Sequence, residues 1–599
     1  MSLPQMSRRR FVASAAAGTA LRGKSQGAAG AAKKKDAFVP AVTTAHPNGQ
    51  GFLTARMRLS VGERLCKINL DDILAPYTHR PGAQEWAGEH VGKFLHSASL
   101  SLRHAPNAKL KQRLDYAAQK LMASQLPDGY LGTYSTKKHW TSWDVWSHKY
   151  NILGLLAYHE LTGKAQALAV CRKVGDLLCR TFGTGPGQLD IVSEAHSTHM
   201  GMASTSVLEP MVLLHRATGE PRYLEFCRYI VAAWEQPHGP KLLSSLSSHG
   251  NVFKTANAKA YEMLSNIVGM AELHRTTGDP VLLGACNNAW TDIVKRRHYP
   301  IGTTSWAEHF QADNVLTPGG SFEEAKFVAA GEGCVTVTWL QLNWQLLRDS
   351  GDPRYADVIE RIAYNALIGA QSPETAQISY FSPLAGRKRY GEVNHGITPD
   401  VCCCASSQPR GIALLASMMA GTLQGQPAVM MYEPAVHSME VATEAGQQQV
   451  RLVVTSTYPQ QGTVRIAVQP RLAATFSLNL RVPGWAVGFK ARVDGRTYEG
   501  VPGQYLAIER TWRLADEVEI EMPMTLRTNT WGLLPGVVVE RGPQVLAMDE
   551  DINLLGRLPR WGWKGDQLYK LDRKIPLLLV PFSDAGQSRA EYNVVLPGA

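Results

Sequence analysis

Residues 50 to 420 repeat one pattern of apolar and polar positions. In each copy an apolar stretch with helical periodicity ends at a glycine, and a second amphipathic stretch begins just beyond it. Glycine supplies the left-handed C-terminal cap of a helix, and in three copies a proline follows where the next helix can begin. The pattern therefore predicts helical hairpins. The four copies are LLAYHELTGK (155–164), VLLHRATGEPRYL (212–224), AELHRTTGDPVLL (271–283) and QLLRDSGDPRYA (345–356).

The spacing of these hairpins predicts a ring. The capping glycines Gly163, Gly219, Gly278 and Gly351 are 56, 59 and 73 residues apart, which suits hairpins joined by loops of different length. With less regular helical sequence on both sides, four copies indicate about six hairpins, enough to close an (α/α)6 toroid. An open solenoid of the same hairpins is the alternative.

Beyond about residue 425 the period changes from that of a helix to that of a strand. Short segments such as QQVRLVVTSTYP, GTVRIAVQP and ATFSLNLRVPGW alternate apolar and polar residues between proline and glycine turns. They predict an antiparallel β-sandwich. The predicted fold is thus mainly α with β, an (α/α)6 toroid barrel followed by antiparallel β-sandwich domains. The predicted limits are 36–424 for the barrel, 425–530 for the sandwich and 531–599 for a small C-terminal β module.

The first 35 residues differ from the rest in charge. They hold eight Lys or Arg and no acidic residue, so removing them lowers the formal net charge from +11 to +3. That remainder is too small to indicate a nucleic-acid partner. The segment SRRRFVASAAAGTAL has an arginine pair and a short Ala-rich run, which is typical of a twin-arginine export signal; a disordered basic tail is the alternative. We expect 1–35 to be a signal and linker, and the protein to be periplasmic or secreted.

The composition of the chain is that of a globular protein. Hydrophobic residues make up 44% and charged residues 19% of it. No apolar run after the N-terminal segment approaches the ~18 residues that a spanning helix needs. We therefore expect no membrane span.

The nine cysteines are an odd number, which argues against a pure disulfide framework in an exported protein. Five are scattered singly in apolar helical sequence and are expected to be buried small hydrophobes. The other four are Cys334, two residues after Glu332, and the run Cys402, Cys403 and Cys404. Thiolates and a carboxylate are ligands that Zn²⁺ binds in tetrahedral geometry. Because residues i and i+2 point the same way in an extended segment, we expect Glu332 and Cys334 to face one ion from a stretch that precedes a helix.

Three other interpretations of this cluster stay open from spacing alone. A strained vicinal disulfide, a purely structural zinc site and three unrelated thiols in a loop would each use the same residues. Neither spacing is the C-x2-C of a structural zinc finger.

Six segments carry a resemblance to a known family. They are PDGYLGTY (127–134), WDVWSHKYNILGLLAYHELTG (143–163), the Glu332-x-Cys334 pair, YFSPLAG (380–386), CCASSQPRGIALL (403–415) and LNLRVPGWA (478–486). Together they resemble glycoside hydrolase family 127, the β-L-arabinofuranosidase family. The resemblance implies an (α/α)6 barrel followed by β-sandwich domains. It also implies a retaining glycoside hydrolase acting on β-L-arabinofuranosides or a related plant cell-wall sugar.

Carried over residue by residue, the resemblance assigns the cluster its roles. Glu332, Cys334, Cys403 and Cys404 would hold Zn²⁺, and Cys403 would be the nucleophile. A metal keeps a thiol ionised, as attack on an anomeric carbon requires. The reaction would be a double displacement through a thioglycosyl intermediate. Cys402 is an extra thiol that could replace a neighbour as ligand.

The general acid/base is expected to be a carboxylate upstream of the Glu-x-Cys pair. The segment PGGSFEEAKF offers Glu324, which we favour, and Glu323, although this segment departs from the family pattern. Glu308 in SWAEHFQ is a further candidate. A solvated surface glutamate is the alternative for each of them.

Several aromatic and histidine side chains are predicted to bind the sugar. By the resemblance, His148 matches a family histidine that lines the sugar pocket, and Tyr380 matches a family tyrosine near the catalytic sulfur. His199 and His196 lie where a pocket loop is expected. Packing within the barrel is the alternative for each. Trp140, Trp143 and Trp146 would supply a stacking platform or pack in the core.

Two functions of other kinds stay open at this level. The chain could be a carbohydrate-binding or scaffold protein whose zinc is structural, or a toroid-fold polysaccharide lyase or uronyl hydrolase that relies on His, Tyr or Asp. In each case the partner is a small-molecule or oligosaccharide substrate or ligand. The sequence does not predict the oligomeric state.

Overall fold

A computed structural model describes residues 36–46, 51–318, 321–323, 326–392, 398, 401–444, 446–554, 569–571, 577–587 and 590–596. The predicted signal segment lies outside these residues. The helices are α1 (Phe52–Leu59), α2 (Leu70–Thr78), α3 (Glu89–His104), α4 (Ala108–Ala123), α5 (Asp144–Thr162), α6 (Ala165–Thr181), α7 (Met202–Thr205), α8 (Leu208–Thr218), α9 (Pro221–Trp234), α10 (Leu242–Ser248), α11 (Ala260–Thr277), α12 (Pro280–Arg296), α13 (Gly333–Ser350), α14 (Pro353–Ile362), α15 (Cys403–Met418) and α16 (Glu550–Leu554). Single turns of π-helix (Ser60–Leu65, Ala363–Leu367) and 3-10 helix (Thr136–Lys138, Val252–Lys254) accompany them.

Among these helices, six form a closed inner ring. α3 packs on α5, and the contacts continue through α8, α11, α13 and α15, which packs back on α3. Outside the ring, α4, α6, α9, α12 and α14 each pack on the inner helix that precedes them in the chain. α1 and the π-helical turn after it pack on α15. The first and last helical segments therefore close an (α/α)6 toroid, and the open-solenoid alternative is wrong.

The hairpin turns form where the sequence pattern places them. Gly163, Gly219, Gly278 and Gly351 cap the C-termini of α5, α8, α11 and α13, with φ between 70° and 76°. A residue with a Cβ is strained in this left-handed conformation, so glycine ends each helix there. α9, α12 and α14 then open with proline, whose fixed φ suits a first helical turn. The predicted hairpins are confirmed.

Most of the described strands lie after α15, and five precede it. They are β1 (Phe38–Pro40), β2 (Val42–Ala45), β3 (Ser321–Glu323), β4 (Lys326–Val328), β5 (Ala385–Gly386), β6 (Ala420–Leu423), β7 (Gln426–Val429), β8 (Ala435–Thr443), β9 (Gly446–Ser456), β10 (Thr463–Pro470), β11 (Ala474–Arg481), β12 (Lys490–Val493), β13 (Arg496–Glu499), β14 (Tyr505–Trp512), β15 (Asp516–Glu521), β16 (Leu526–Asn529), β17 (Val537–Arg541), β18 (Gln544–Asp549), β19 (Tyr569–Leu571), β20 (Leu577–Pro581), β21 (Tyr592–Asn593) and β22 (Val595–Leu596).

Two sheets form the predicted sandwich. Their strand orders are β1-β6-β7-β11-β14 and β13-β12-β15-β10-β9-β8-β2. β7 and β11 pair in parallel, and the other described pairs in these two sheets are antiparallel. The alternation of the sequence is visible in β9, where Val450, Leu452 and Val454 are buried and Arg451 between them is exposed. The predicted fold class, a helical toroid followed by β-sandwich domains, is confirmed.

The first two strands join the sandwich rather than the ring. β1 pairs with β6, placing Phe38 opposite Leu423, and β2 pairs with β8, placing Val42 opposite Ser438. The chain thus leaves the sandwich, completes the ring and returns. The predicted domain limits stay predictions.

A third sheet lies against the ring. Its order is β16-β17-β18-β20-β19, with β21 and β22 alongside and β5 pairing with β21. The ion pair of Arg361 with Glu540 (2.5 Å) joins it to the ring. The sandwich is joined to the ring by a buried pair, Arg481 with Glu360, at 2.7 Å. These contacts hold the two β parts on the ring.

The cysteines and the helices also test two negative expectations. The nine cysteines all lie within the described residues, and they are free thiols. Of the five scattered ones, Cys179 is half-buried and the others are buried. Among the described helices, none combines the length and apolar character that crossing a bilayer requires.

Candidate functional site

Two neighbouring helices of the inner ring begin at the same place and bring the predicted ligands together. Glu332 is the N-cap of α13, and its carboxylate accepts hydrogen bonds from the main-chain N–H of Cys334 (3.0 Å) and Val335 (2.6 Å). Cys402 is the N-cap of α15, and its Sγ accepts from the N–H of Ala405 at 3.4 Å. Helix N-termini carry partial positive charge, so the place where these two meet favours anionic groups.

The local structure at Cys334 differs from the sequence expectation. An extended stretch was expected there, but α13 begins at Gly333 and Cys334 lies in its first turn. The Glu332 carboxylate explains this, because it satisfies N–H groups that the first turn of a helix leaves without partners. Cys403 and Cys404 likewise form the first turn of α15. The cluster is therefore built on two helix N-termini.

The four predicted ligands form one compact group. One donor atom from each of Glu332, Cys334, Cys403 and Cys404 lies within 4.8 Å of every other. Cys404 Sγ is 3.7 Å from Cys334 Sγ and 3.9 Å from Cys403 Sγ. A tetrahedral ion with metal–sulfur bonds of about 2.3 Å sets its sulfurs about 3.8 Å apart, so the sulfur positions fit. The Cys404 thiol donates to Glu332 Oε1 at 2.7 Å, an edge shorter than such an ion requires. By donor chemistry and sulfur spacing, the group can hold a metal ion.

Cys403 differs from the other three ligands in exposure and acidity. Glu332, Cys334 and Cys404 are buried, whereas Cys403 is partly exposed. Hydrogen bonds from the Cys334 and Cys404 thiols lower the pKa of Cys403. Burial raises the pKa of Cys334 and of Cys404, and burial with the nearby Cys334 raises the pKa of Glu332. Cys403 is therefore the thiol with the most thiolate character and the one that a ligand can reach.

Tyr380 connects Cys403 to a carboxylate that the sequence ranked only as a further candidate. The Tyr380 hydroxyl lies 3.3 Å from Cys403 Sγ and donates to Glu308 Oε1 at 2.6 Å. Since both contacts share Tyr380 Oη, Glu308 Oε1 lies at most 5.9 Å from Cys403 Sγ. The other carboxylate oxygen pairs with Lys259. The structure thus places Tyr380 beside Cys403, and the substrate-binding role of Tyr380 stays a prediction.

The backbone of Glu308 is also unusual. Its φ is 63°, in the left-handed region, and the preceding Ala307 has a φ of 49°. Non-glycine residues in this region are strained, and such strain concentrates at functional sites. The sequence signal for this segment is the 73-residue spacing between the last two capping glycines, since the additional residues lie between α12 and α13.

The structure does not test the other two acid/base candidates, Glu324, which the sequence favours, and Glu323. Glu324 lies outside the described residues, and for Glu323, the last residue of β3, the structure describes the main chain alone. Both stay predictions. Glu308 is the carboxylate that the described residues place beside Tyr380 and Cys403.

The predicted sugar-binding histidines lie in different surroundings. His148 is fully buried; its Nδ1 donates to the main-chain oxygen of Asp144 (2.9 Å), and its Nε2 accepts from the N–H of Leu131 (3.1 Å). Both ring nitrogens thus serve the main chain, and the structure does not bring His148 into the cluster. His199 is half-buried with a φ of 52°, and its ring packs edge-on against Trp143 at 5.3 Å. The substrate-binding roles of both stay predictions.

The three tryptophans of the expected stacking platform divide in the same way. Trp146 is buried and donates to Glu89 Oε2 at 2.5 Å. Trp140 and Trp143 are partly exposed. A stacking surface for a sugar would therefore rest on Trp140 and Trp143, whereas Trp146 belongs to the packing of the ring.

Two family models match the chain. The model described as the β-L-arabinofuranosidase GH127 catalytic domain matches residues 56–417, more than half of the chain. The model of the GH127 middle domain matches residues 431–524. The first match covers the ring and the ligand cluster, and the second falls within the sandwich.

Individual relatives agree with these matches. A protein of Bifidobacterium longum named non-reducing end β-L-arabinofuranosidase is 25% identical over 519 residues, which are 77% of this chain and 75% of that protein. A solved GH127 β-arabinofuranosidase superposes with a TM-score of 0.75 at 21% identity, over 94% of this chain and 98% of that one. A GH127 β-L-arabinofuranosidase of Geobacillus stearothermophilus gives a TM-score of 0.73 at 20% identity, over 92% and 99% of the two chains. At these identities the solved structures show a shared fold.

Proposed function

The chain belongs to glycoside hydrolase family 127 and is a glycoside hydrolase, and from this premise we propose that it cleaves β-L-arabinofuranosides, or a related plant cell-wall sugar, with retention of configuration. One observation carries the proposal: of the four clustered donors, only Cys403 combines partial exposure with a lowered pKa. The curated relative is named for the same sugar linkage. We propose that the substrate is an oligosaccharide or another small glycoside.

Glu332, Cys334, Cys403 and Cys404 would hold Zn²⁺, the ion that best suits three thiolates and a carboxylate. Bound there, it supplies the positive charge that keeps the thiols ionised at neutral pH. The Glu332 carboxylate also caps the first turn of α13, so the same side chain would bind the ion and stabilise the start of the helix.

Cys403 and Glu308 then carry the two steps of a double displacement. The Cys403 thiolate forms a bond to C1 of the sugar while the bond from C1 to the leaving oxygen breaks, and the Glu308 carboxyl gives its proton to that oxygen. In the second step a water molecule gives a proton to the Glu308 carboxylate and forms the new C1–O bond as the Cys403 sulfur departs. The two groups lie at most 5.9 Å apart, which is less than the separation of about 6.5–9.5 Å that an inverting pair needs to hold a water between them.

Tyr380 orders this pair. Its hydroxyl donates to Glu308 and contacts Cys403, so it fixes the distance between acid and nucleophile. Because the Cys403 contact is to a sulfur that must approach C1, Tyr380 also limits the directions from which that sulfur is reached.

We further propose that the protein acts outside the cytoplasm, exported by its N-terminal arginine-pair segment. The support is the motif SRRRFVASAAAGTAL and the concentration of eight basic residues in 1–35. Fractionation of cells expressing the full chain, with both of Arg9 and Arg10 replaced by Lys as the control, tests it; equal periplasmic amounts of the two would contradict it.

The test of catalysis compares two adjacent thiols. Cys403→Ser should lower turnover of aryl β-L-arabinofuranosides by more than about 1,000-fold, as removing a nucleophile does. Cys402→Ser is the matched control, since Cys402 caps α15 outside the ligand group and serine is itself a good N-cap. A mechanism-based L-arabinofuranosyl electrophile should add one mass increment to the wild-type protein, mapped to Cys403. Turnover that survives in Cys403→Ser, or an adduct on another residue, would refute the nucleophile.

A further inference from the structure

The residues at the start of α11 contact both the main chain and the side chain of Glu308. The side chain of Lys259 pairs with Glu308 Oε2, and the N–H of the next residue, Ala260, donates to the main-chain oxygen of Glu308 at 2.9 Å. Two residues after Glu308, the N–H of Phe310 donates to the main-chain oxygen of Ala258 at 3.0 Å. The start of α11 therefore binds both the backbone and the carboxylate of Glu308.

These contacts join two residues whose backbone conformation is strained. Ala258 has a φ of 58° and Glu308 one of 63°, both in the left-handed region. Such residues cost of order 1–3 kcal/mol each and persist only where their surroundings determine the conformation. The two main-chain hydrogen bonds and the ion pair supply that determination, so the direction of the Glu308 carboxylate depends on Lys259.

The ion pair is shielded but not sealed. The side chain of Lys259 is 12% exposed and that of Glu308 is 19% exposed. At this level of burial an ion pair is screened less than on an open surface. Lys259 therefore acts on Glu308 at close range, at the edge of the space that a substrate of Cys403 would enter.

Resting on the hydrolytic function proposed above, we propose that Lys259 is a positioning residue for the acid/base: it holds the Glu308 carboxylate against Tyr380 and favours its ionised form in the free enzyme. Because the Lys259 ammonium favours the ionised carboxylate, Glu308 binds the proton needed for the first step less tightly than it would without this neighbour.

The other charged and titratable groups near Lys259 and Glu308 leave the lysine charged, and the neighbouring His199 and Tyr380 stay neutral. Burial lowers the pKa of Lys259, but the carboxylates of Glu262 and Glu308 reverse this and leave it raised, so the ammonium stays charged. Burial lowers the pKa of His199 and raises that of Tyr380, which keeps both neutral near pH 7. The groups that act on Lys259 or Glu308 are His199 from the turn before α7, Glu262 from α11, Glu332 from the start of α13 and Tyr380 from the segment after α14. His309 follows Glu308 in the chain and acts on His199, while Cys403 and Cys404 from α15 act on Tyr380.

The sign of the effect follows from this arrangement. An opposite charge at short range lowers a carboxyl pKa, so removing the ammonium of Lys259 should raise the pKa of Glu308. The alkaline limb of kcat/KM reports the acid that must be protonated in the free enzyme. In Lys259→Met that limb should move to higher pH by about one unit. The acidic limb should stay in place.

The experiment uses the full chain with its metal and three variants. Lys259→Met removes the ammonium, Lys259→Arg keeps the positive charge, and Lys254→Met removes the same charge from an exposed site five residues away. The kcat/KM of a 4-methoxyphenyl β-L-arabinofuranoside, whose poor leaving group needs the acid, is measured across pH for each. The limb should move in Lys259→Met and stay with the wild type in the other two.

A second measurement does not depend on turnover. In protein labelled with [5-13C]glutamate, the carboxyl signal that disappears in Glu308→Gln is assigned to Glu308 and titrated in each variant. Its midpoint should rise by about one unit in Lys259→Met alone. An unchanged midpoint in Lys259→Met would overturn the inference. A wild-type protein that turns over no L-arabinofuranoside would overturn the proposed function, while this titration would still decide the role of Lys259.

Discussion

Replacing Glu332 separates two tasks that one carboxylate performs. Both of its oxygens accept hydrogen bonds from the first turn of α13, at 3.0 Å from Cys334 N and 2.6 Å from Val335 N. The same carboxylate accepts from the Cys404 thiol and would bind the metal. Glu332→Gln keeps one acceptor oxygen for the helix but loses the charge. Glu332→Ala loses both tasks, so the pair of variants distinguishes the cap from the ligand.

The cap and the ligand have different magnitudes. Losing a side-chain N-cap costs about 1 kcal/mol and up to about 2 kcal/mol, and the higher figure suits Glu332→Ala because two hydrogen bonds disappear inside a buried site. Glu332→Gln retains one of the two, so about 1 kcal/mol is expected without metal. Changes in groups that merely support metal ligands lower affinity by about 10- to 100-fold, so losing a direct ligand should lower it by more than about 100-fold. At saturating zinc that loss corresponds to about 2.7 kcal/mol of stability.

The assay measures urea midpoints of the full chain with added zinc and with a chelator, together with the zinc content after dialysis. Wild type should lose stability on chelation, and the loss in Glu332→Gln should be smaller by about 2.7 kcal/mol or more. Asp352→Ala is the matched control, since Asp352 caps α14 through Arg354 N at 3.0 Å far from the cluster. Its midpoint should fall equally with and without zinc. Stoichiometric zinc in Glu332→Gln, held with wild-type affinity, would refute the assignment of Glu332 as a ligand.

Two further changes test the fold around the site. Gly163 and Gly351 cap α5 and α13 with φ of 70° and 71°, so alanine at either should destabilise the protein by about 1–2 kcal/mol. A Cβ at Gly163 meets no atom within 4 Å, whereas a Cβ at Gly351 collides with Leu423. Urea midpoints should therefore show the larger loss of stability in Gly351→Ala, and equal losses would contradict the contact. Burial raises the pKa of Asp144 to about 7, so the folded protein binds a proton there that the unfolded chain releases near pH 4, and this stabilisation is lost as pH rises from about 4 through 7. Asp144→Asn should therefore flatten the fall in stability over that range by about 1.4 kcal/mol per pH unit, measured by urea denaturation at several pH values, and an unchanged slope would count against the buried acid.

Local signals in the sequence account for most of what could be predicted. The capping glycines and the prolines after them act within one turn of chain, so the hairpins of the ring are readable without knowing their partners. The same holds for the alternating strands, such as β9 with its buried Val450 and exposed Arg451. The ligand group was readable for a different reason, because Glu332-x-Cys334 and Cys403-Cys404 resemble a family motif.

Features that depend on distant pairing could not be read in this way. β1 and β2 join strands about 400 residues later in the chain, with Phe38 opposite Leu423, and nothing in a three- or four-residue strand names its partner. The contact of Glu308 with Tyr380 is of the same kind, since the two residues are 72 positions apart in the sequence. The sequence predicts the start of α13 wrongly because nothing near Glu332, an expected metal ligand, indicates that its carboxylate also caps a helix.

The ring itself explains why the site draws on residues so far apart. α11, α13 and α15 are consecutive members of the inner ring, and the residues at or just before their first turns are Lys259, Glu332 and Cys403. Each helix directs a positive N-terminal end toward the same space, which favours the carboxylates of Glu308 and Glu332 and an ionised thiol at Cys403. A ring of inner helices running in one direction thus gathers three such ends without any long-range motif. The loop between α12 and α13 has only to be long enough to bring Glu308 to them, and the 73-residue spacing of that hairpin is where the chain provides this length.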